Sequence, residues 1–270
     1  MRTTLPLLLC LMTLLIVSCR GRGLTLDDLP TIIPPPDVIS TSVALTENAP
    51  PPGYREALTF ERVDRNLREI EGWRYVVLLE FDGIFSQTNR PTTAYARATV
   101  WYNQIGDARR VVVESSGELL QRPEGETFEA VRLGPDAFLV RGSNCLGNAE
   151  DDAQAASAIT AGDLVGGARN ALPTGQREII NGEESWRYDF GQGDLVLPAV
   201  RFADDTRITS MNSEMWVAPA HDAVVRYWVL LNIENARLLS NDLPVSGQLL
   251  LQYDLHDIGD VPNISVPFGC

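Results

Sequence analysis

Four segments within residues 179–255 alternate apolar and polar side chains with a period of two. A strand turns successive side chains to opposite faces, so this period predicts a sheet that is apolar on one side and polar on the other. Trp186, Tyr188 and Phe190 share one face, opposite Ser185, Arg187 and Asp189. Leu249, Leu251, Tyr253 and Leu255 share another, opposite Gln248, Gln252 and Asp254. Between them lie residues 214–218 and 224–233, divided by the turn-like Pro219-Ala220-His221-Asp222. Such a sheet needs its apolar face covered before it is stable in water. The functional question is whether the cover is the chain's own side chains alone or includes a ligand.

The region before this sheet has the same character. Leu58, Val63, Leu67 and Ile70 lie mostly three or four apart ahead of Gly72, which predicts an amphipathic helix with a glycine stop. Trp73, Tyr75, Val77, Leu79 and Phe81 then alternate as a first strand. Strands follow at 95–102 and 109–115 around Gln104-Ile105-Gly106-Asp107, and at 128–133 and 137–141 around Gly134-Pro135-Asp136. Residues 151–171 are rich in Ala and Gly and predict one or two short helices. Asn181-Gly182 predicts a hairpin between 176–181 and 185–190. Residues 195–210 show no clear period, and Asp204-Asp205 marks a loop.

The N-terminus carries an address. Arg2 precedes an apolar run over 5–17, shorter than the ~20 residues of a spanning helix but right for a secretory signal. The run ends in Leu15-Ile16-Val17-Ser18-Cys19, which resembles the lipobox of bacterial lipoproteins, with Val17 where that motif also uses Ala, Ser or Thr. The resemblance implies removal of residues 1–18 and acylation of Cys19, with palmitate-type chains contributing about 0.8 kcal/mol per buried methylene. The other reading is an ordinary signal peptide or an uncleaved anchor. Residues 19–53 contain Pro30, Pro34, Pro35, Pro36, Pro50, Pro51 and Pro52 and predict an extended tether. Residues 54–270 are then a single domain, expected as a monomer held on the outer face of the cytoplasmic membrane, in the periplasm or at the cell surface.

Of the four Cys, removal of the leader and acylation of Cys19 leave Cys145 and Cys270. In an exported protein this even pair predicts a disulfide, against unpaired thiols or an intermolecular bond. The formal net charge is −14, and every cation among the 22 is Arg. A surface this negative repels the phosphates of nucleic acids, so no nucleic acid partner is expected.

Motifs for chemistry are few. His221 and His256 each precede an Asp, but one falls in a turn and the other at a strand end, as surface residues do. Glu183-Glu184 and Asp204-Asp205 read as solvated turns. There is no nucleophile elbow, phosphate loop or metal-binding helix motif. No catalytic residue, metal or cofactor is assigned, and the chain is expected not to be an enzyme. Trp73, Tyr75, Phe81, Trp186, Tyr188, Tyr227 and Tyr253 are candidates to line a hydrophobic pocket; the competing reading is plain sheet core.

The order of Glu184-Ser185-Trp186-Arg187-Tyr188-Asp189-Phe190, Glu214-Met215-Trp216-Val217 and Val224-Val225-Arg226-Tyr227 resembles that of the lipoprotein-carrier superfamily of LolA, LolB, LprG and LppX. The resemblance covers residues 60–255. It implies an α+β fold, a curved antiparallel sheet forming an incomplete β-barrel with helices over the open concave side. It also implies a membrane-anchored lipoprotein that binds a lipid or other hydrophobic ligand without covalent chemistry. The alternative is a structural or protein-interaction lipoprotein with the same half-barrel filled by its own side chains.

Overall fold

The computed structural model describes Pro51, residues 53–239 and residues 241–270. The predicted leader 1–18, Cys19 and nearly all of the tether 19–53 lie outside the described residues. After β1 (Leu58–Phe60), a meander runs through β2 (Gly72–Phe85), β3 (Arg90–Asn103), β4 (Ala108–Gly117), β5 (Arg122–Leu133), β6 (Asp136–Arg141) and β7 (Asn144–Cys145). Two short helices follow, α1 (Glu150–Ser157) and α2 (Ala161–Val165). The chain then forms β8 (Gly167–Ile180), β9 (Glu183–Asp189), β10 (Leu195–Val196) and β11 (Val200–Arg201). It closes with β12 (Arg207–Ala218), β13 (Ala223–Leu238) and β14 (Val245–His256).

The strands make one antiparallel sheet in the order β1-β8-β9-β12-β13-β14-β2-β3-β4-β5-β6-β7, with β10 on β8 and β11 on β13. Its two end strands differ, so the sheet is open and not a closed barrel. The halves meet where β14 pairs with β2 in unbroken register from Val245 opposite Phe85 to His256 opposite Arg74. Inward on this seam, Leu249 faces Phe81, Leu251 faces Leu79, Tyr253 faces Val77 and Leu255 faces Tyr75. All eight are buried in one core.

Residues 58–70 are not the predicted helix. Leu58 and Phe60 pair with Ala171 and Ala168 of β8, residues 63–66 form a turn, and the only helical stretch is the 3-10 turn Leu67–Glu69. Asn66, at φ 71°, sits in the left-handed region just before that turn and interrupts any continuous helix. Val63, Leu67 and Ile70 still face the core, because successive tight turns return to one side at much the same spacing as a helix. This segment, α2 and residues 197–200 cover the concave face. The Val63 N–H donates to the Gly166 carbonyl at 2.9 Å, tying the first part of the cover to the end of α2. The unreadable residues 195–210 hold β10, β11 and the start of β12, pieces too short to show a period.

The tail after β14 crosses the start of β2. The Gly259 N–H donates to the Gly72 carbonyl at 2.8 Å, and the Asn103 amide donates to the Pro262 carbonyl at 3.0 Å. A Cβ on Gly72 would lie 2.2 Å from the Asp260 carbonyl oxygen, so only glycine admits the tail there. The tail ends in a disulfide between Cys270 and Cys145, residues 125 apart in sequence. In the chain-entropy account a loop of this length stabilises by about 5 kcal/mol. Cys145→Ser with Cys270→Ser is expected to lower the unfolding free energy by several kcal/mol in urea melts under oxidising conditions. Dithiothreitol is expected to do the same to the wild type and nothing to the variant.

Candidate functional site

The inward faces of β2, β9, β13 and β14 hold all seven residues singled out as a pocket wall. Trp73, Tyr75, Phe81, Trp186, Tyr188, Tyr227 and Tyr253 are buried, and Tyr188, Tyr227 and Tyr253 have no accessible surface at all. A side chain with none has no room beside it for a water molecule, so no void wide enough for an acyl chain touches these three. Their contacts are those of a packed core. Trp73 stacks with Tyr75 and with Tyr102 at 5.1 Å, and Phe190 stacks on Tyr227 at 5.7 Å. Several polar ends are satisfied internally: the Tyr188 hydroxyl donates to the Tyr54 carbonyl at 2.7 Å, and Trp73 Nε1 donates to the Leu67 carbonyl at 2.9 Å. The Tyr253 hydroxyl and Trp186 Nε1 have no partner, and burial pushes the Tyr253 hydroxyl pKa well up.

The concave face is less complete over β3–β5. The main core ends at Ala96 and Val113, while a second cluster of Ala130, Leu139 and Ala153 lies under α1 with Phe128 at its margin. Val113 and Phe128 stand directly opposite each other across β4 and β5. Both are only partly buried. Ala96, also partly buried, shares their inward face, since it pairs with Leu79 on one side and Ser115 on the other. The result is a partly buried apolar strip between the two covers. Periodicity places strands at 95–102, 109–115 and 128–133 but carries no signal of how far the cover extends over them.

A polar cleft of about 450 Å³ opens at the end of the same face, lined by Arg62, Asp64, Arg65, Arg68, Glu69, Trp73, Tyr75 and Arg109 among others. Arg109, on the inward face of β4, donates to the Tyr75 hydroxyl at 3.0 Å and to the Ile159 carbonyl at 2.5 Å. Burial pushes the Tyr75 hydroxyl up to about 12, even though the Arg109 guanidinium beside it acts in the opposite direction. Arg62 spans the mouth: it donates to Asp163 at 2.8 Å and to the Thr160 hydroxyl at 2.5 Å. Thr160 caps α2, its hydroxyl accepting from the Asp163 N–H. Partial burial pushes the Asp163 carboxyl up, but hydrogen bonds from Thr160 and Arg62 outweigh it and hold the carboxyl below its ordinary value.

The remaining titratable candidates are dispersed. His221 lies in the β12–β13 turn with Nε2 3.2 Å from Glu183, His256 ends β14, and Glu184 pairs with Arg177 at 3.4 Å. Among the described residues no three His, Cys, Asp or Glu side chains group as metal ligands.

No protein-family model and no curated protein matches the chain. Among solved structures it is similar to LprF from Mycobacterium bovis, at 10% identity over 78% of this chain and 94% of that one, with a TM-score of 0.34. It is also similar to an outer membrane lipoprotein-sorting protein domain from Vibrio parahaemolyticus, at 10% identity over 68% and 84%, with a TM-score of 0.20. A DUF1329 family protein from Desulfovibrio piger matches at 8% identity over 70% and 85%, with a TM-score of 0.22.

The Asp163 shift sets a pH dependence for the mouth of the cleft. A carboxyl with a depressed folded-state pKa adds stability above the unfolded aspartate value, ~4, and that stability is lost as pH falls through the folded value. Amide exchange in α2 is therefore expected to quicken as pH falls below ~4, once corrected for the intrinsic rate. In Asp163→Asn it is expected to be fast already at neutral pH and to lose this dependence.

Proposed function

We propose that the protein is an exported lipoprotein, anchored through acylated Cys19, that binds a lipid or another hydrophobic molecule non-covalently on the concave face of its open sheet. One observation supports this above the others: Ala96 and Val113, packed at the edge of the main core, and Phe128, packed at the edge of the α1 cluster, form an inward apolar strip that stays only partly buried. Each methylene laid on such a surface gains about 0.8 kcal/mol, so a chain of several methylenes binds there without directional contacts. The strip displaces the proposed ligand wall from Trp186, Tyr188, Tyr227 and Tyr253, which serve as the rigid floor of the half-barrel. No catalysis is proposed, and the envelope location follows from the leader and lipobox.

A second reading has its own support. The zero accessibility of Tyr188, Tyr227 and Tyr253 is that of a filled half-barrel, as in a structural or protein-interaction lipoprotein.

Lipid extraction separates the two. Full-length wild type, purified gently and then denatured in organic solvent, is expected to release a non-covalent lipid. Val113→Glu is expected to reduce that occupancy by about tenfold or more, because a carboxylate buried against an acyl chain is costly. Wild type that yields no such lipid and takes up no fluorescent fatty acid would leave only the filled-barrel reading. Independently, Cys19→Ala is expected to move the chain from the membrane fraction to the soluble fraction; retention in the membrane would remove the anchor assignment.

A further inference from the structure

Residues 62–69 divide their side chains between the core and the polar cleft. Their turns close from residue i to i+3: the Arg65 N–H donates to the Arg62 carbonyl at 3.2 Å, and the Glu69 N–H donates to the Asn66 carbonyl at 3.1 Å. Val63 and Leu67 enter the core, while Arg62, Arg65 and Arg68, spaced three apart, all line the cleft. Arg109 reaches the same cleft from β4.

The four arginines differ in what holds them. Arg62 is committed to Asp64, Asp163 and Thr160, and Asp64 is nearly buried and packed toward Gly162, so this group is closed within the fold. Arg65, Arg68 and Arg109 have no carboxylate within 4 Å, although most arginines among the described residues do. Acidic residues outnumber basic ones by 36 to 22, so carboxylates are not in short supply. Three such arginines around one cleft of about 450 Å³ leave positive charge open to an anion from outside the chain.

Arg65 and Arg68 are exposed. Arg65 Nη1 donates to the Thr59 carbonyl at 3.2 Å, which positions the guanidinium and leaves the rest of its fork free, and the Arg68 side chain makes no hydrogen bond among the described residues. Arg109 is half-buried and donates to the Tyr75 hydroxyl and the Ile159 carbonyl, so it supplies charge from behind and not a contact. Each guanidinium fork suits two oxygens. A carboxylate fills one fork, whereas a phosphate monoester has three free oxygens and close to two charges, enough to engage both. Exposed Glu69 is the one cleft carboxylate without a cation within 4 Å, and it opposes this binding without cancelling three arginines.

We propose that the cleft binds a phosphate monoester through the guanidiniums of Arg65 and Arg68, with Arg109 adding its charge from the wall. The site is separate from the apolar strip and holds whether or not the strip takes a lipid. A free organic phosphate and the headgroup of phosphatidic acid share this chemistry.

Calorimetric titration of the full-length protein in phospholipid-free, uncharged detergent at about pH 8, where the monoester is dianionic, tests the proposal with glycerol 3-phosphate and acetate. Wild type is expected to bind glycerol 3-phosphate at least about tenfold more tightly than acetate, a difference of about 1.4 kcal/mol. Arg65→Ser with Arg68→Ser is expected to weaken glycerol 3-phosphate by at least about tenfold. Arg97→Ser with Arg207→Ser removes the same charge from exposed arginines that also lack a carboxylate but lie outside the cleft, and is expected to change binding by less than about twofold, since distant exposed charges are screened. Should the Arg65 and Arg68 double variant fail to fold, Arg68→Ser alone, whose side chain bonds nothing in the fold, is read in its place. No saturable binding of glycerol 3-phosphate at millimolar concentration, equal binding of acetate, or equal losses in the cleft and control variants overturns the site. The source is read by reconstituting the full chain in phosphatidylcholine vesicles with and without phosphatidic acid. Weaker glycerol 3-phosphate binding in the vesicles that contain phosphatidic acid identifies the lipid headgroup as occupant, and unchanged binding identifies the free molecule; both support the site.

Discussion

The structure depends on covering a sheet that is apolar on only one side. The inward residues of β2, β9, β12, β13 and β14 are large, and burying each contributes about 1.5–3 kcal/mol, so an uncovered face would not persist in water. The cover is economical: Phe60, Val63, Leu67 and Ile70 from the first segment, Ala161 and Val165 from α2, and Leu197, Ala199 and Val200 from the later connection. α1 covers β5 and β6 separately. Because the pieces are small, they leave a margin on β3–β5, and that margin is where the concave face acquires an apolar surface of its own.

Most of the sheet was legible in the sequence because a half-buried strand writes its two faces directly into the order of residues. The hairpin at Asn181-Gly182 was legible for a different reason, both residues having positive φ, 54° and 95°, which few other residues adopt. The segment 58–70 was misread because a three-to-four spacing is met by tight turns as well as by a helix, and Asn66 gave no recognisable stop. The pair Cys145 and Cys270 emerged from counting, not from proximity. The polar cleft was hidden: Asp64 and Arg109 are 45 positions apart and look like any surface charges until β2, β3 and β4 bring them to one end of the sheet. The strip was hidden too, since the sequence places Val113 and Phe128 only within two strands and the extent of the cover is set by distant segments.

The two regions are linked along one strand. Arg109, Val111 and Val113 alternate on the inward face of β4, so the cleft and the strip are four residues apart, about 13 Å at the rise of an antiparallel strand. Val111 between them is fully buried and belongs to the main core. The concave face therefore runs from a charged end through packed core to an apolar margin, a gradient of polarity with the dimensions of an amphiphile.

The seam between β14 and β2 has a consequence for how the chain reaches this state. β2 finds β3 across a short turn, but its other edge waits for β14, whose His256 lies opposite Arg74 after nearly the whole domain has intervened. Loop closure over such a span is entropically unfavourable, and folds dominated by distant pairings form slowly. Until β14 arrives, the meander from β2 to β6 presents an apolar edge strand to its surroundings, the kind of surface that pairs with other chains. The yield of folded protein is therefore sensitive to the speed of one long-range strand pairing.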